Sequence, residues 1–374
     1  MDEKIIYTAE GDPIPWFTKD VNNHLDKTTL IFGGTGSGKT TVIEEILYLL
    51  KDSVPNFVVI APRTSDSAYR RKLPARCIKE DFTKERLQAL WDRQVFVTQI
   101  YNTSNDINVL ESLFKIAPDR ESIVMIEAIK RKAADMIRVI DISPNLDFGQ
   151  KKAQKTAIEE LQIKKIKIIY KDAIQKNRQI IIHSPDITTT QKVALEYLNF
   201  NPRLCLIIDD CSEKFQVWMK FFKKGEVNPF ESIFYKNRWN YLTLVFAAHD
   251  DKLVNTELRK NSRVTIYTNS QSLVTSINRT GNGFTPKEKK EAMRYAAKIF
   301  GDEEKGIKTH QKLCYIREDP HPFKYLIANL YPDFDLTCSP TRTMVSMMPK
   351  KEDNLATNPY VKGLFKKDKD KNLF

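Results

Sequence analysis

Short runs of consecutive apolar and β-branched residues recur along the chain, separated by longer stretches in which apolar positions fall at helical spacing. The runs are Thr28–Phe32, Phe57–Pro62, Gln94–Thr98, Gln179–His183, Leu204–Ile208, Tyr241–Phe246, Arg263–Tyr267, Lys312–Ile316 and Lys324–Ala328. Near-continuous apolar runs without alternation suit strands covered on both faces, as in a mostly parallel sheet flanked by helices. The alternation of strand and helix signals predicts an α/β fold.

Residues 123–178 read differently. Ile126, Ile129, Ala133, Met136, Ile137 and Ile140 form one helical stripe, Ser143–Gly149 supplies a turn, and Ala153, Ala157, Leu161, Ile166, Ile169 and Ala173 form a second stripe. The pattern predicts a helical hairpin inserted into the α/β core. It is basic, with 13 Lys and Arg from Lys130 through Arg178 against seven acidic residues from Glu127 through Asp172. That surplus of six is half the net charge of the chain. A DNA-gripping arm, an arm for a neighbouring subunit and a merely solvated face all satisfy this composition. From Met347 onward, charge runs such as Lys366–Lys371 carry no packing stripe and predict a flexible tail, in which Asn358–Phe365 could serve as a docking peptide.

The strongest chemical signal follows the first strand. Gly33-Gly34-Thr35-Gly36-Ser37-Gly38-Lys39-Thr40 matches G-x-x-x-x-G-K-[ST], the phosphate-binding loop of P-loop NTPases. The helical run from Thr41 to Leu50 comes directly after it. Glycines let the backbone turn tightly and aim successive N–H groups at anionic oxygens, and a helix N-terminus adds its dipole. Lys39 can then reach the β- and γ-phosphates of ATP, and the Thr40 hydroxyl can ligate Mg²⁺. Only 12 of 374 residues are glycine, and four of them lie in this loop. The acidic complement is expected where Leu204–Ile208 ends in Asp209-Asp210. Asp209 is the expected Mg²⁺ ligand. Asp210 is placed to orient or deprotonate the attacking water. The next strand ends at His249, where ATPases with an added strand between these two place a γ-phosphate sensor. Arg238, Arg259 and Arg263 are candidates for a finger acting on a neighbouring subunit's nucleotide.

Composition narrows the setting. The 41% hydrophobic content supports a core, and no apolar run approaches the length of a membrane span. The start, Met1–Tyr7, is acidic at once and lacks the h-region of a secretory signal, so secretion is not expected. Five cysteines without a C-x-x-C pair disfavour a disulfide scaffold or a zinc site and suit a reducing compartment. The net charge of +12 is superfluous for a small-metabolite enzyme and useful to a protein that grips phosphodiester backbone. No Asn-Lys-x-Asp guanine-reading motif is present, which argues against a GTPase switch. A small-molecule kinase leaves the paired aspartates, the downstream arginines and the charge unexplained. A structural DNA-binding protein with a vestigial site leaves the intact Lys39, Thr40 and Asp209 unexplained.

Taken in order, the Gly33–Thr40 loop, the strand ending Ala61-Pro62, Ile207-Ile208-Asp209-Asp210, Asn237-Arg238-Trp239-Asn240 and Leu258-Arg259-Lys260-Asn261 resemble the virion DNA-packaging ATPases of poxviruses and other nucleocytoplasmic large DNA viruses. These are a branch of the FtsK–HerA superfamily. Lys312–Ile316 and Phe323-Lys324-Tyr325 extend the resemblance to roughly residues 25–335, apart from the 123–178 insertion. The resemblance implies an additional-strand, RecA-like P-loop fold and a ring-forming motor that hydrolyses ATP to package double-stranded DNA into capsids. It further implies nucleotide contacts from Gly33 through Thr41, Asp210 in place of the Glu of cellular relatives, and Arg238 or Arg259 as the trans-acting finger. The capsid or an inner-membrane vertex protein becomes a candidate partner, and the virion or a viral factory in the host cytoplasm the expected location. His249 departs from the Gln that relatives often carry. A cellular or plasmid FtsK–HerA DNA-transfer motor is the alternative. On this reading a lead-in of residues 1–24 precedes an ATPase domain of 25–345 and a tail of 346–374.

Overall fold

The computed structural model describes residues 5–62, 68–81, 83–211, 215, 228–301 and 310–329. The expected tail and the Asn358–Phe365 peptide lie outside the described residues. Two compact units are present: one from the residues up to Val95 together with those from Asn201 on, the other from Phe96–Phe200.

The first unit is built on an eight-stranded sheet in the order β3-β2-β4-β5-β1-β6-β7-β8. Its strands are β1 (Thr28–Phe32), β2 (Asn56–Ile60), β3 (Ile78–Lys79), β4 (Leu204–Asp209), β5 (Leu242–Ala248), β6 (Val264–Tyr267), β7 (Gln311–Ile316) and β8 (Phe323–Ile327). From β3 to β6 every pairing is parallel, and β7 and β8 close that side as an antiparallel pair. Every residue of β1, β4, β5 and β6 is buried. Successive residues feed opposite faces: Leu30, Leu206, Leu244 and Phe246 join one apolar cluster, while Ile31, Ile207, Val245 and Ile266 join the other. This two-sided burial is what the continuous apolar runs require. The fold is that of a P-loop NTPase, and its distinguishing feature is β5, which lies between β1 and β4.

Two expected strands are helical. Gln94–Thr98 lies within the helix Lys84–Ser104. Its buried stripe runs Leu87, Trp91, Gln94, Val97, Ile100, at steps of four, three, three and three residues. The stripe is masked in sequence because Gln94 is polar; its amide nitrogen donates to the carbonyls of Pro202 and Asn240 at 2.9 and 2.6 Å. A short apolar run cannot by itself separate strand from buried helix. The run Gln179–His183 likewise forms the short helix Arg178–Ile182, in which only Ile181 is buried while Ile180 and Ile182 stay 63% and 45% exposed.

In the second unit the helices Arg120–Ile142 and Phe148–Lys176 pack together. Asp119 and Asp147 cap their N-termini, the latter in a reciprocal box with Gln150. The first helix buries Ile126, Ala133 and Ile140. The second buries Ile166, Ile169, Tyr170, Ala173 and Ile174, while Ala153, Ala157 and Leu161 from the same sequence stripe are exposed. Steps of four, four and then five residues carry that stripe around the helix surface, so one pattern serves two environments.

Candidate active site

The loop after β1 is shaped by its glycines. Gly36 and Gly38 have φ of +75° and +89°, the left-handed region in which a side chain is strained, and Gly38 caps the helix Lys39–Leu50. A Cβ on Gly33 would lie 1.8 Å from Thr268 Oγ1. That hydroxyl lies 2.5 Å from Ser37 Oγ and 3.1 Å from the Phe32 carbonyl, and its one proton can go to either acceptor, which knits the loop to the end of β6. Ser37 Oγ also donates to Gly34 O at 2.7 Å. Lys39 Nζ arches over the loop and donates to the carbonyls of Gly33 and Gly34 at 2.8 and 3.0 Å. Burial lowers the Lys39 pKa, and the charges of Asp209 and Asp210 oppose that shift. Thr35 and Gly36 stand exposed at the turn, and Thr40 and Thr41 occupy the first helical turn, half-buried.

Asp209 ends β4. It pairs with Ala247 of β5, which in turn pairs with Ile31 of β1, so the carboxylate is level with the end of the loop strand and two strand spacings, about 10 Å, to its side. Its residue is 2% exposed, and Tyr69 Oη donates to Oδ2 at 2.7 Å. Burial raises the Asp209 pKa, while the Tyr69 bond and the Lys39 charge hold it down. Asp210 turns out of the strand with φ +54°. His249, the first residue after β5, brings Nε2 to 2.8 Å from Asp210 Oδ1. The inserted strand thus delivers an imidazole onto the second aspartate, at the edge of the sheet where the loop also emerges. Carboxyl ends of parallel strands are where ligands bind in open α/β sheets.

The arginines separate. Arg259 is 8% exposed and bound within its own chain. Its guanidinium donates to Asn282 Oδ1 at 2.7 Å, to Asp251 O at 2.6 Å, to Val254 O and to Thr256 Oγ1 at 3.0 Å. Asp251, 2% exposed, also receives Arg279 at 2.9 Å and Asn282 Nδ2 at 2.7 Å. Arg259→Ala is expected to leave this buried network short of a cation and to cost about 3–5 kcal/mol, read as a fall in Cm in urea. Arg238 and Arg263 precede β5 and β6, at the opposite edge of the sheet from His249. Arg263 donates to Arg317 O at 2.5 Å, whereas Arg238 is exposed and makes no side-chain hydrogen bond or ion pair among the described residues.

Three residues near the loop and Asp209 carry no sequence motif. Tyr69 reaches Asp209 from the segment after β2. Thr268 meets the loop from the end of β6. Lys312 Nζ, on β7, donates to Thr268 O at 3.2 Å, with its Cε 3.4 Å from where a Cβ on Gly38 would stand. Thr268 could have been found as a polar residue at the carboxyl end of a strand; the other two depend on chain crossings that no local pattern encodes.

No family model matches the chain. It is similar to the uncharacterized protein B354L of African swine fever virus, isolate Pig/Kenya/KEN-50/1950, with 28% identity over 335 residues, 84% of this chain and 85% of that protein. The B354L protein of the isolate Warthog/Namibia/Wart80/1980 is likewise 28% identical over 333 residues, 83% of this chain and 84% of that protein. Among solved structures, the genome packaging NTPase B204 of Sulfolobus turreted icosahedral virus 2 in complex with ATP-gammaS aligns with a TM-score of 0.33 at 12% identity, over 82% of this chain and 98% of that one. The bacterial conjugative coupling protein TrwBdeltaN70 aligns at 0.35 and 10%, over 91% and 92%. Likenesses this distant carry no functional weight, which rests on the strand order and on the loop itself. Among the described residues, no helix is long and apolar enough to cross a membrane.

Proposed function

We propose that this chain is an ATP-hydrolysing motor of the additional-strand P-loop class that moves double-stranded DNA, and that it packages a viral genome. The observation that carries the hydrolytic reading is β5 between β1 and β4, setting His249 on Asp210 at 2.8 Å beside a loop spanned by Lys39. A kinase or a switch has no use for a second carboxylate held in this way. The similarity to a viral protein over more than four-fifths of both chains favours a viral setting over a cellular DNA-transfer motor.

The residues divide the work by chemistry. The N–H groups of the glycine loop and the Lys39 ammonium hold the phosphate chain, with Lys39 exchanging the carbonyls of Gly33 and Gly34 for phosphate oxygens. Thr40 and Asp209 are hard oxygen donors fitted to Mg²⁺, which takes one or two protein ligands and completes its shell with phosphate and water. Among the described residues no group of three or more His, Cys, Asp or Glu could hold a metal without such help. When bound, Mg²⁺ neutralises charge developing on the β- and γ-oxygens. Asp210 orients the attacking water and takes its proton, and His249 fixes the carboxylate in place and links it to the β5 end. Arg238 is assigned to a neighbouring subunit's γ-phosphate in a homo-oligomeric ring, because Arg259 is already engaged.

Phosphate contacts carry no sequence information, so DNA binding by this basic chain is expected to be sequence-independent. Long double-stranded DNA should stimulate ATP turnover at about 50 mM salt, with the stimulation fading steeply toward about 200 mM. Turnover indifferent to DNA across that salt series would remove the motor and leave a nucleotide hydrolase or switch.

A further inference from the structure

The segment after β2 touches both halves of the site at once. Lys72 N and Leu73 N donate to Tyr69 O at 3.0 and 2.9 Å, closing one helical turn. From that turn the Tyr69 hydroxyl reaches Asp209 at 2.7 Å, and Lys72 Nζ lies 3.9 Å from Glu44. Glu44 stands one turn beyond Thr40 on the helix that the loop opens into. All four side chains are sequestered: Tyr69 is 0%, Asp209 2%, Lys72 7% and Glu44 9% exposed. One turn therefore bridges the end of β4 and the helix bearing Thr40.

We infer that Tyr69 is a positioning residue for metal binding: its hydroxyl occupies Asp209 Oδ2, fixes the carboxylate rotamer and commits Oδ1 to the cation, while Lys72 holds the Thr40 helix in register with it. This rests on the reading of Asp209 and Thr40 as the Mg²⁺ ligands. Three facts support it. A buried phenol needs a partner for its hydroxyl, and this one is spent on the single carboxylate that the site requires in one orientation. A hydrogen bond to a carboxylate is about twice as strong as one between neutral groups. Partners that orient a metal ligand commonly set metal affinity, with losses of about 10–100-fold when they are removed.

The test uses the full chain with Mn²⁺ as the probe, its binding followed by electron paramagnetic resonance in the presence of a non-hydrolysable ATP analogue. Tyr69→Phe is expected to weaken Mn²⁺ binding about tenfold while leaving the metal-free affinity for the analogue unchanged. Asp209→Asn should lose at least as much. Leu73→Ala, a neighbouring core truncation, should lower Tm yet leave Mn²⁺ affinity intact, which separates positioning from general loosening. If Asp209→Asn leaves Mn²⁺ binding unaltered, the metal reading itself is wrong. If Asp209→Asn weakens it and Tyr69→Phe does not, the metal reading stands and the inference about Tyr69 is overturned. Should Tyr69→Phe fail to fold, Lys72→Met carries the test from the other end of the turn: a loss of about threefold or more supports the inference, and none overturns it.

Discussion

Subunits carrying Arg238→Ala should bind ATP as tightly as the wild type and hydrolyse it about 10³-fold or more slowly, the scale set by arginine fingers. The expectation comes from position and from charge. Arg238 begins the one-turn helix before β5, exposed and without a side-chain partner among the described residues, at the far edge of the sheet from its own loop. The seven residues of β5 separate it from His249 by about 20 Å, so it cannot serve the site of its own chain. Burial, with repulsion from Arg263 and Arg238, lowers the pKa of nearby Lys27 against the pull of Asp20 and Asp26. The measurement is hydrolysis by mixtures: Arg238→Ala subunits combined with Asp210→Asn subunits should recover part of the activity that each lacks alone, because some interfaces then pair an intact arginine with an intact aspartate. If instead only Arg259→Ala mixtures recover, the finger is Arg259, and its buried network must open in the ring.

Asp210→Asn should retain ATP binding and lose about 10²–10⁴-fold in kcat. The substitution suits this position because residue 210 has φ +54°. Asn tolerates the left-handed region nearly as well as Asp, so the backbone is preserved and only the basicity of the side chain is removed. Most other residues there would add strain of about 1–3 kcal/mol and confuse a folding defect with a chemical one. Lys39, the glycine loop and Asp209 are untouched by the change, which is why binding should survive. A variant that turns over at the wild-type rate takes Asp210 out of the mechanism and leaves His249 without a catalytic partner.

The glycine loop, the β1 strand and the aspartates were legible because their chemistry is local. A tight phosphate-binding turn needs glycines at fixed offsets, and a strand buried on both faces must be apolar throughout. The same locality misleads at Gln94–Thr98 and Gln179–His183, where runs of apolar residues belong to helices whose period is hidden by a buried amide in one case and by exposed isoleucines in the other. Arg259 shows a second limit. An arginine destined for a neighbour and one locked onto its own Asp251 look alike in sequence, since the difference lies in carbonyls contributed by Asp251 and Val254.

By itself, then, the sequence determined the α/β pattern, and it placed the glycine turn and the paired aspartates on which the proposed nucleotide site rests, each of which is set by residues adjacent along the chain. Only the tertiary structure decided that β5 enters between β1 and β4, that His249 meets Asp210, and that Tyr69 takes one oxygen of Asp209. Those contacts join residues 39 and 140 positions apart. Strand order and chain crossing, which no short window contains, bring such residues together.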